Sequence, residues 1–358
     1  MSETVSVIVP TYNEKENIKP LIERVHQALA GYEHEILIVD DNSKDGTAEA
    51  AEELTRTYPV KVLVRKDERG LGTAVVHGVK NSSGNLIVVM DADLQHPPEV
   101  VPVLVKALQC GADFVVASRY IPGGGVPNWG LFRRIVSKTA IAIAHVLLPI
   151  TRKIKDATSG FFAFQREGIA GAELRPIGYK IMLEILVEGK FNSTLEVPYI
   201  FKERSTGISK FNTRQQVEYL RHLFSMMKRT GELTRFVKFL AVGLSGVVVN
   251  MGALWLLTRF GGLPYYVSSL FAIELSIISN FALNDYFTFA DRRNGNGNSF
   301  LSRLLRFNVT CAVGAAIQYG LLLLFTSVFG VHYLISNIIG IAAGTLWNYL
   351  VNVSWTWK

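Results

Sequence analysis

Short apolar runs alternate with longer stretches of helical spacing through the first third of the chain. The runs lie at 5–10 (VSVIVP), 35–41 (EILIVDD), 60–65 (VKVLVR), 85–93 (NLIVVMDAD) and 113–119 (DFVVASR). Strands this apolar on both faces belong to parallel sheets covered by helices on each side. Between them Ile18, Leu21, Ile22, Val25 and Leu29 recur at helical spacing, and 45–58, 72–82 and 98–109 read as further helices. Pro98 opens the last of these, where its missing N–H does no harm. The pattern predicts an open α/β sheet, which binds ligands at the carboxyl ends of its strands. Polar residues gather there: PTYNE after the first strand, DDNSKDGT after the second, DADLQ after the fourth and SRY after the fifth.

The pattern then changes. GGGVPN (123–128) is a flexible loop, and a long apolar helix follows at 129–148. Arg133, Arg134, Lys138 and His145 argue against its spanning a membrane, so it is expected to lie against one or under the sheet. Segments 156–166 and 194–204 are strand-like, and 214–230 is a basic amphipathic helix of interfacial type. Four runs near the length that crosses a bilayer complete the chain, at about 236–258, 265–289, 304–328 and 332–354. The expected organisation is a sheet domain over 1–213, an interfacial linker over 214–232 and an all-α four-span domain over 233–358.

Charge sharpens this division. Residues 1–232 hold 29 Lys and Arg against 27 Asp and Glu, whereas 233–358 hold 8 against 3. The net charge of +7 is therefore no argument for nucleic acid as a partner. Arg229, Arg235 and Lys238 precede the first span, and Arg292, Arg293, Arg303 and Arg306 separate the second from the third. The positive-inside rule puts both termini, the central loop and the sheet domain in the cytoplasm, in line with a first segment, 1–16, that has no apolar core of a signal peptide. Cys110 and Cys311 fit no metal spacing and read as reduced apolar residues.

The membrane part repeats itself at an offset of 68 residues. Arg235, Lys238 and Phe239 match Arg303, Arg306 and Phe307; Gly246 and Gly252 match Gly314 and Gly320; NFALNDYFTF (280–289) matches NYLVNVSWTW (348–357). Two spans per unit make these parallel repeats about an axis along the membrane normal. Glu274 breaks the symmetry, its partner being Ala342. An intramembrane carboxylate is a functional candidate or a solvated interfacial group, and both readings stand.

The fourth strand carries the most specific chemistry. Asp91 and Asp93 stand two apart where a buried strand turns, and Gln95 follows two residues later. Hard cations such as Mg²⁺ or Mn²⁺ take oxygen ligands, typically one or two carboxylates beside substrate phosphates. A D-x-D-x-Q run offers three such oxygens in one turn. His96 reads as a turn residue before Pro97, and no Ser/His/Asp array is visible.

VPTYNE, IVDDNSKDGT, MDADLQHPPE and ERSTGISKF, in this order, resemble glycosyltransferase family two with its GT-A fold. DADLQHPPE with SRY and KERSTGISKF is more narrowly similar to the dolichyl-phosphate mannosyltransferases, and 235–358 resembles the small GtrA-like membrane domain. The resemblance implies transfer of mannose from GDP-mannose to dolichyl or another polyprenyl phosphate at a lipid bilayer. It implies a sugar-nucleotide site at Pro10, Tyr12, Glu14, Val39, Asp41, Asp91, Ala92, Asp93, Arg204 and Lys210, and a divalent cation on Asp91, Asp93 and Gln95. Arg119 closes the fifth strand, and Arg133 and Ser137 share a helix face; these three are expected to seat the lipid phosphate. With Asp91, Asp93 and Gln95, Arg119 also completes the expected catalytic set.

The expected chemistry is a single displacement with inversion. An ionised phosphate oxygen attacks, so no dedicated base is required. UDP-glucose or another sugar nucleotide is the alternative donor. A processive polysaccharide synthase would carry Q-x-x-R-W, which this sequence lacks. A flippase or scaffold without catalysis would have no use for an intact DADLQ. The sequence sets no oligomeric state.

Overall fold

The computed structural model describes residues 3–202, 213–293 and 299–357. The chain divides into two compact units, Met1–Thr230 and Gly231–Lys358.

The strands of the first unit are β1 (Val5–Thr11), β2 (His34–Asp40), β3 (Val60–Val64), β4 (Leu86–Val89), β5 (Phe114–Ser118), β6 (Phe162–Gln165) and β7 (Thr194–Pro198). They form one sheet in the order β3-β2-β1-β4-β6-β5-β7. Pairs β1–β2, β1–β4, β2–β3 and β5–β7 are parallel. The sixth strand runs antiparallel to both β4 and β5. The expected open sheet is therefore present, but mixed rather than parallel throughout.

Consecutive apolar residues bury both faces. Val7, Val9, Ile36 and Ile38 meet α1 (Lys15–Ala28) and α4 (Val101–Gln109) on one side. Ile8, Val39, Ile87 and Val89 meet α3 (Leu71–Asn81) and α6 (Ile181–Glu188) on the other. In α4 the buried residues are Val101, Leu104, Val105 and Leu108, the spacing of one helical face. Each such side chain contributes about 2 kcal/mol on leaving water. A short helix, α2 (Thr47–Leu54), completes the β2–β3 connection.

Helix α5 (Leu131–Leu147) follows the glycine loop, and α7 (Thr213–Arg229) packs beside it, with the Tyr219 hydroxyl donating to Ala140 O at 2.7 Å. The sequence set 214–232 apart as a linker. In the structure α7 packs with the first unit. Its buried Leu223 and Met226 pack inward. Fully buried Glu184 of α6 accepts from His222 at 2.8 Å and from Arg229 at 2.6 and 2.8 Å. Burial alone would raise the Glu184 carboxyl; the hydrogen bonds from His222, Arg229 and the Arg175 amide outweigh it and hold the group at about 2.

The second unit consists of α8 (Glu232–Arg259), α9 (Tyr265–Leu283), α10 (Phe300–Leu323) and α11 (Tyr333–Val351). With the π-helical turns that extend α9, α10 and α11, all four are long and apolar enough to cross a membrane. The repeat is visible in three dimensions. A π-helical turn at Asn284–Thr288 has its counterpart at Asn352–Thr356, 68 residues on. Phe289 and Trp357, equivalent positions, stack face to face at 4.4 Å with 13° between planes. An axis relating the two hairpins passes through that stack, because Phe239–Tyr349 and Phe307–Phe281 also exchange under the same offset. Gly246 lies against Asn280 and Gly314 against Asn348, so close that a Cβ would come within 2.3 Å of the amide in both hairpins. Lipid tails offer no hydrophobic drive between helices, so small residues that let backbones approach hold such hairpins together. Fully buried Asp285 breaks the symmetry: it accepts from Arg303 at 2.9 and 3.1 Å and from the Trp357 indole at 2.8 Å. Glu274 is exposed on α9.

If the two hairpins are equivalent units, Gly246→Ala and Gly314→Ala should lower the melting midpoint of the detergent-purified protein by similar amounts. Gly243→Ala and Gly252→Ala, where a Cβ meets nothing within 4 Å, should leave it unchanged. Thermal unfolding of the four variants checks this.

Candidate active site

The carboxyl ends of β1, β2, β4 and β5 converge on one edge of the sheet. Since β6 runs the other way, the residues just before it arrive at the same edge. Val89 pairs with Phe162, and two residues further on Gly160 stands opposite Asp91. A Cβ on Gly160 would meet Asp91 Oδ2 and the His96 ring at 3.2 Å, so a side chain here would push on both by a few tenths of an ångström.

Among the described residues three non-glycine positions adopt left-handed backbone, and all three lie in these strand-end turns: Asn13 (φ 55°), Asn42 (φ 56°) and Leu94 (φ 60°). Asparagine tolerates that region; leucine does so at a cost of about 1 kcal/mol or more. Leu94 lies between Asp93 and Gln95, so the strain sits inside the D-x-D-x-Q turn.

Asp93 is buried, and its Oδ1 accepts from the Gln95 amide at 3.1 Å. Asp91 is about a third exposed and faces the cleft described below. Its amide donates to His96 Nδ1 at 3.0 Å. His96 is therefore more than a turn residue: it is buried and stacks on Phe161 at 5.2 Å. Burial lowers its pKa, and a neutral ring that accepts at Nδ1 acts as a strut behind Asp91. Gln95 is tied through Nε2 to Lys202 O at 3.2 Å, and its own carbonyl accepts from the Lys202 amide. Arg204 and Lys210 lie outside the described residues.

Among the described residues no group of three or more His, Cys, Asp or Glu side chains forms a closed metal centre. Asp91, Asp93 and Gln95, the residues expected to hold a cation, follow one another along a single strand-end turn, and oxygen donors of this type suit Mg²⁺ or Mn²⁺ when substrate phosphates complete the shell.

The second acid cluster divides its labour. Asp40 is fully buried and holds the β1 and β2 ends, accepting from Thr11 Oγ1 at 3.1 Å and Ser43 Oγ at 2.6 Å. Asp41 pairs with Arg65 through its Oδ1, with Nε at 2.8 Å, and takes the Gly70 amide on Oδ2 at 2.7 Å. Arg65 went unnoticed in the sequence; a cation at the end of the third strand beside an acid at the end of the second is its only signal. Glu14 accepts from Asn17 Nδ2 at 2.8 Å at the start of α1. Tyr12 lies under the Arg69 guanidinium at 5.3 Å, Pro10 and Ala92 are buried, and Val39 belongs to the core.

A cleft of about 630 Å³ begins at Asp91 and Gly160 and runs between α5 and α7. Arg119, Arg133, Ser137 and Lys180 line it, followed by apolar Ile135, Ile143 and Leu220. The structure thus brings together the three residues expected to bind phosphate. Trp129 lies between the two arginines, 5.3 Å from Arg119 and 4.1 Å from Arg133. Ser137 accepts from the Tyr120 hydroxyl at 2.8 Å. Arg119 differs from expectation in one respect: it is buried in a bidentate pair with fully buried Asp156, both contacts at 2.7 Å. Although burial opposes its charge, hydrogen bonding to Asp156 raises its pKa. Lys180 was not singled out by the sequence. Its Nζ donates to Thr158 O at 2.5 Å, and burial, with Arg119 adding repulsion, lowers its pKa to about 8.

Comparison with known proteins places both units. Residues 6–170 match the glycosyl transferase family 2, and residues 238–357 match the GtrA/DPMS transmembrane domain. The chain is 48% identical over 355 residues to the dolichol-phosphate mannosyltransferase of Pyrococcus furiosus, covering 99% of both. It is 40% identical over 236 residues to the dolichol-phosphate mannosyltransferase of Saccharomyces cerevisiae, covering 62% of this chain and 86% of that one. Identity to the polyprenol monophosphomannose synthase of Mycolicibacterium smegmatis is 39% over 216 residues, 58% of this chain and 80% of that one. The sheet unit has the fold of the Mycobacterium tuberculosis glucosyl-3-phosphoglycerate synthase solved with Mn²⁺ and UDP-glucose, at a TM-score of 0.52 and 21% identity over 63% of this chain and 80% of that one. The chain is an integral membrane glycosyltransferase of GT-A fold, and it belongs to the dolichol-phosphate mannosyltransferase family.

Proposed function

We propose that the protein transfers mannose from GDP-mannose to dolichyl or another polyprenyl phosphate on the cytoplasmic face of the membrane. The observation that carries this reading is the cleft. Arg119, Arg133 and Lys180 line it beside Asp91, and apolar side chains of α5 and α7 line much of the rest. That is the polarity of a lipid phosphate. The relatives named for the same reaction support the sugar and the acceptor.

Tyr12 and Asp41 hold the nucleoside, Tyr12 as a face for base or ribose and Asp41 through the acceptor capacity left by Arg65 and Gly70. Asp91, Asp93 and Gln95 hold a divalent cation, which when bound offsets the charge on the departing diphosphate. Arg119, Arg133 and Ser137 orient the acceptor phosphate. An acceptor oxygen forms the bond to the anomeric carbon as the bond to GDP breaks. The electron pair leaves with GDP, and the anomeric configuration inverts. A phosphate is already ionised at neutral pH, so buried, neutral His96 need accept no proton. In-line alignment supplies most of the remaining barrier lowering.

Exposed Leu131, Phe132 and Ile135 on α5, and Val217, Leu220 and Phe224 on α7, suit a seat in the leaflet that delivers the chain. The positive-inside pattern around Arg235, Arg292, Arg303 and Arg306 supports a cytoplasmic catalytic unit. The second unit serves as the anchor.

Incubating the purified protein with polyprenyl phosphate, Mg²⁺ or Mn²⁺ and a panel of sugar nucleotides should release nucleoside diphosphate from GDP-mannose alone. Asp93→Ala should lower that rate by roughly 10²–10³-fold. Release from UDP-glucose alone would overturn the donor assignment.

The two arginines should separate by readout. Arg119→Met leaves the Asp156 charge buried without its cation, a loss of about 3–5 kcal/mol, so the melting midpoint should fall by roughly 6–20 °C along with activity. Arg133→Met, on an exposed helix face, should keep the midpoint within about 2 °C and raise the acceptor KM. Equal thermal loss in both variants would contradict this division.

A further inference from the structure

Lys180 occupies a position that helix physics disfavours. It is the N-cap of α6 and makes no side-chain capping bond. N-caps favour Ser, Thr, Asp and Asn, and the amino end of a helix repels cations. The side chain is also turned inward beside Arg119, so a second positive group opposes it, and its pKa falls to about 8. Its one hydrogen bond among the described residues is to Thr158 O. Partial burial, like charge and helix end all weigh against the ammonium, and the Thr158 carbonyl and the Tyr179 ring, 4.8 Å away, offset them only in part. A local rule broken in the wall of a cleft marks a functional position.

The surroundings identify what offsets it. Asp156 is committed to Arg119 through both oxygens. Asp91, the other carboxylate that acts on Lys180, belongs to the oxygen set for the donor's cation. The cleft leads from Lys180 towards Ile143, Tyr219 and Leu220, whereas Tyr12 and Asp41 of the nucleotide end do not line it. A phosphate reaching Lys180 by this route carries an apolar chain behind it.

We propose that Lys180 binds the phosphate of the polyprenyl acceptor, opposite Arg133, and so turns the attacking oxygen towards the sugar above Asp91. This rests on the acceptor assignment made above. The site takes an isoprenoid monophosphate; the donor's diphosphate is the competing source of the same chemistry.

The test uses the full-length protein in lipid nanodiscs. Farnesyl phosphate and farnesol are titrated by calorimetry in the native protein, Lys180→Met and Lys180→Arg, with GDP-mannose titrated separately. The native protein should prefer farnesyl phosphate to farnesol. Lys180→Met should cut farnesyl phosphate affinity tenfold or more while GDP-mannose affinity stays within twofold, and Lys180→Arg should recover part of the loss. The Lys180→Met melting midpoint should equal or exceed the native value, since a disfavoured charge is gone. Unchanged farnesyl phosphate affinity, a loss confined to GDP-mannose, or a lowered midpoint with both affinities reduced would each overturn the proposal. Because binding is read without turnover, absence of mannose transfer in the native protein would count against the proposed function and leave the Lys180 result intact.

Discussion

Strand β6 runs antiparallel between β4 and β5, so the residues that precede it emerge where those two strands end. Much of the site depends on this reversal. It sets Gly160 against Asp91, and it sets Asp156 where Arg119 leaves β5. The Arg119–Asp156 pair is then shut from water, with both oxygens satisfied, and fixes the guanidinium that Trp129 shares with Arg133. A buried pair of this kind adds little net stability, but losing one partner is severe. Its value is position: it holds one wall of the cleft still while leaving net positive charge to Arg133 and Lys180.

The site also stores strain. Leu94 in the left-handed region and Lys180 at a helix start are both unfavourable choices, one inside the D-x-D-x-Q turn and the other in the cleft wall. Around them the frame is stiff. His96 braces Asp91 from behind, Asp40 ties two strand ends, and Glu184 clamps α7 onto α6. The cleft wall built from α7 therefore belongs to the catalytic unit and does not wait on an outside contact.

Much of this was legible in the sequence. Apolar runs bounded by polar clusters gave five strands and the edge where ligands bind. The D-x-D-x-Q turn and the grouping of Arg119, Arg133 and Ser137 in one cleft were readable because polar groups at strand ends and on one helix face stand out. The 68-residue repeat was readable because its asparagines and glycines matched as well as its leucines, and those are the positions that touch. Strand direction was not legible: FAFQ of β6 is apolar whichever way it runs. Nor were ion pairs between distant residues, which is why Arg65 and Asp156 stayed out of view and Arg119 looked free. Lys180 has no motif, since its meaning comes from burial and from the helix end it caps. His96 looked like a turn residue because turn chemistry around two prolines hides a buried ring. The basic spacing of α7 suggested an interface helix, but its inward contact with Glu184 depends on α6.

In the proposed reaction the acceptor's phosphate, rather than its lipid chain, is the group that reacts. The most direct test offers the purified protein GDP-mannose and divalent cation with a polyprenyl phosphate or with the same polyprenol lacking phosphate, and follows labelled mannose into the lipid. Mannose should enter the phosphorylated lipid alone, and the product should release it under mild acid as a glycosyl phosphate does. Comparable transfer to the free alcohol would contradict this mechanism, because a hydroxyl nucleophile requires a general base and an ionised phosphate does not.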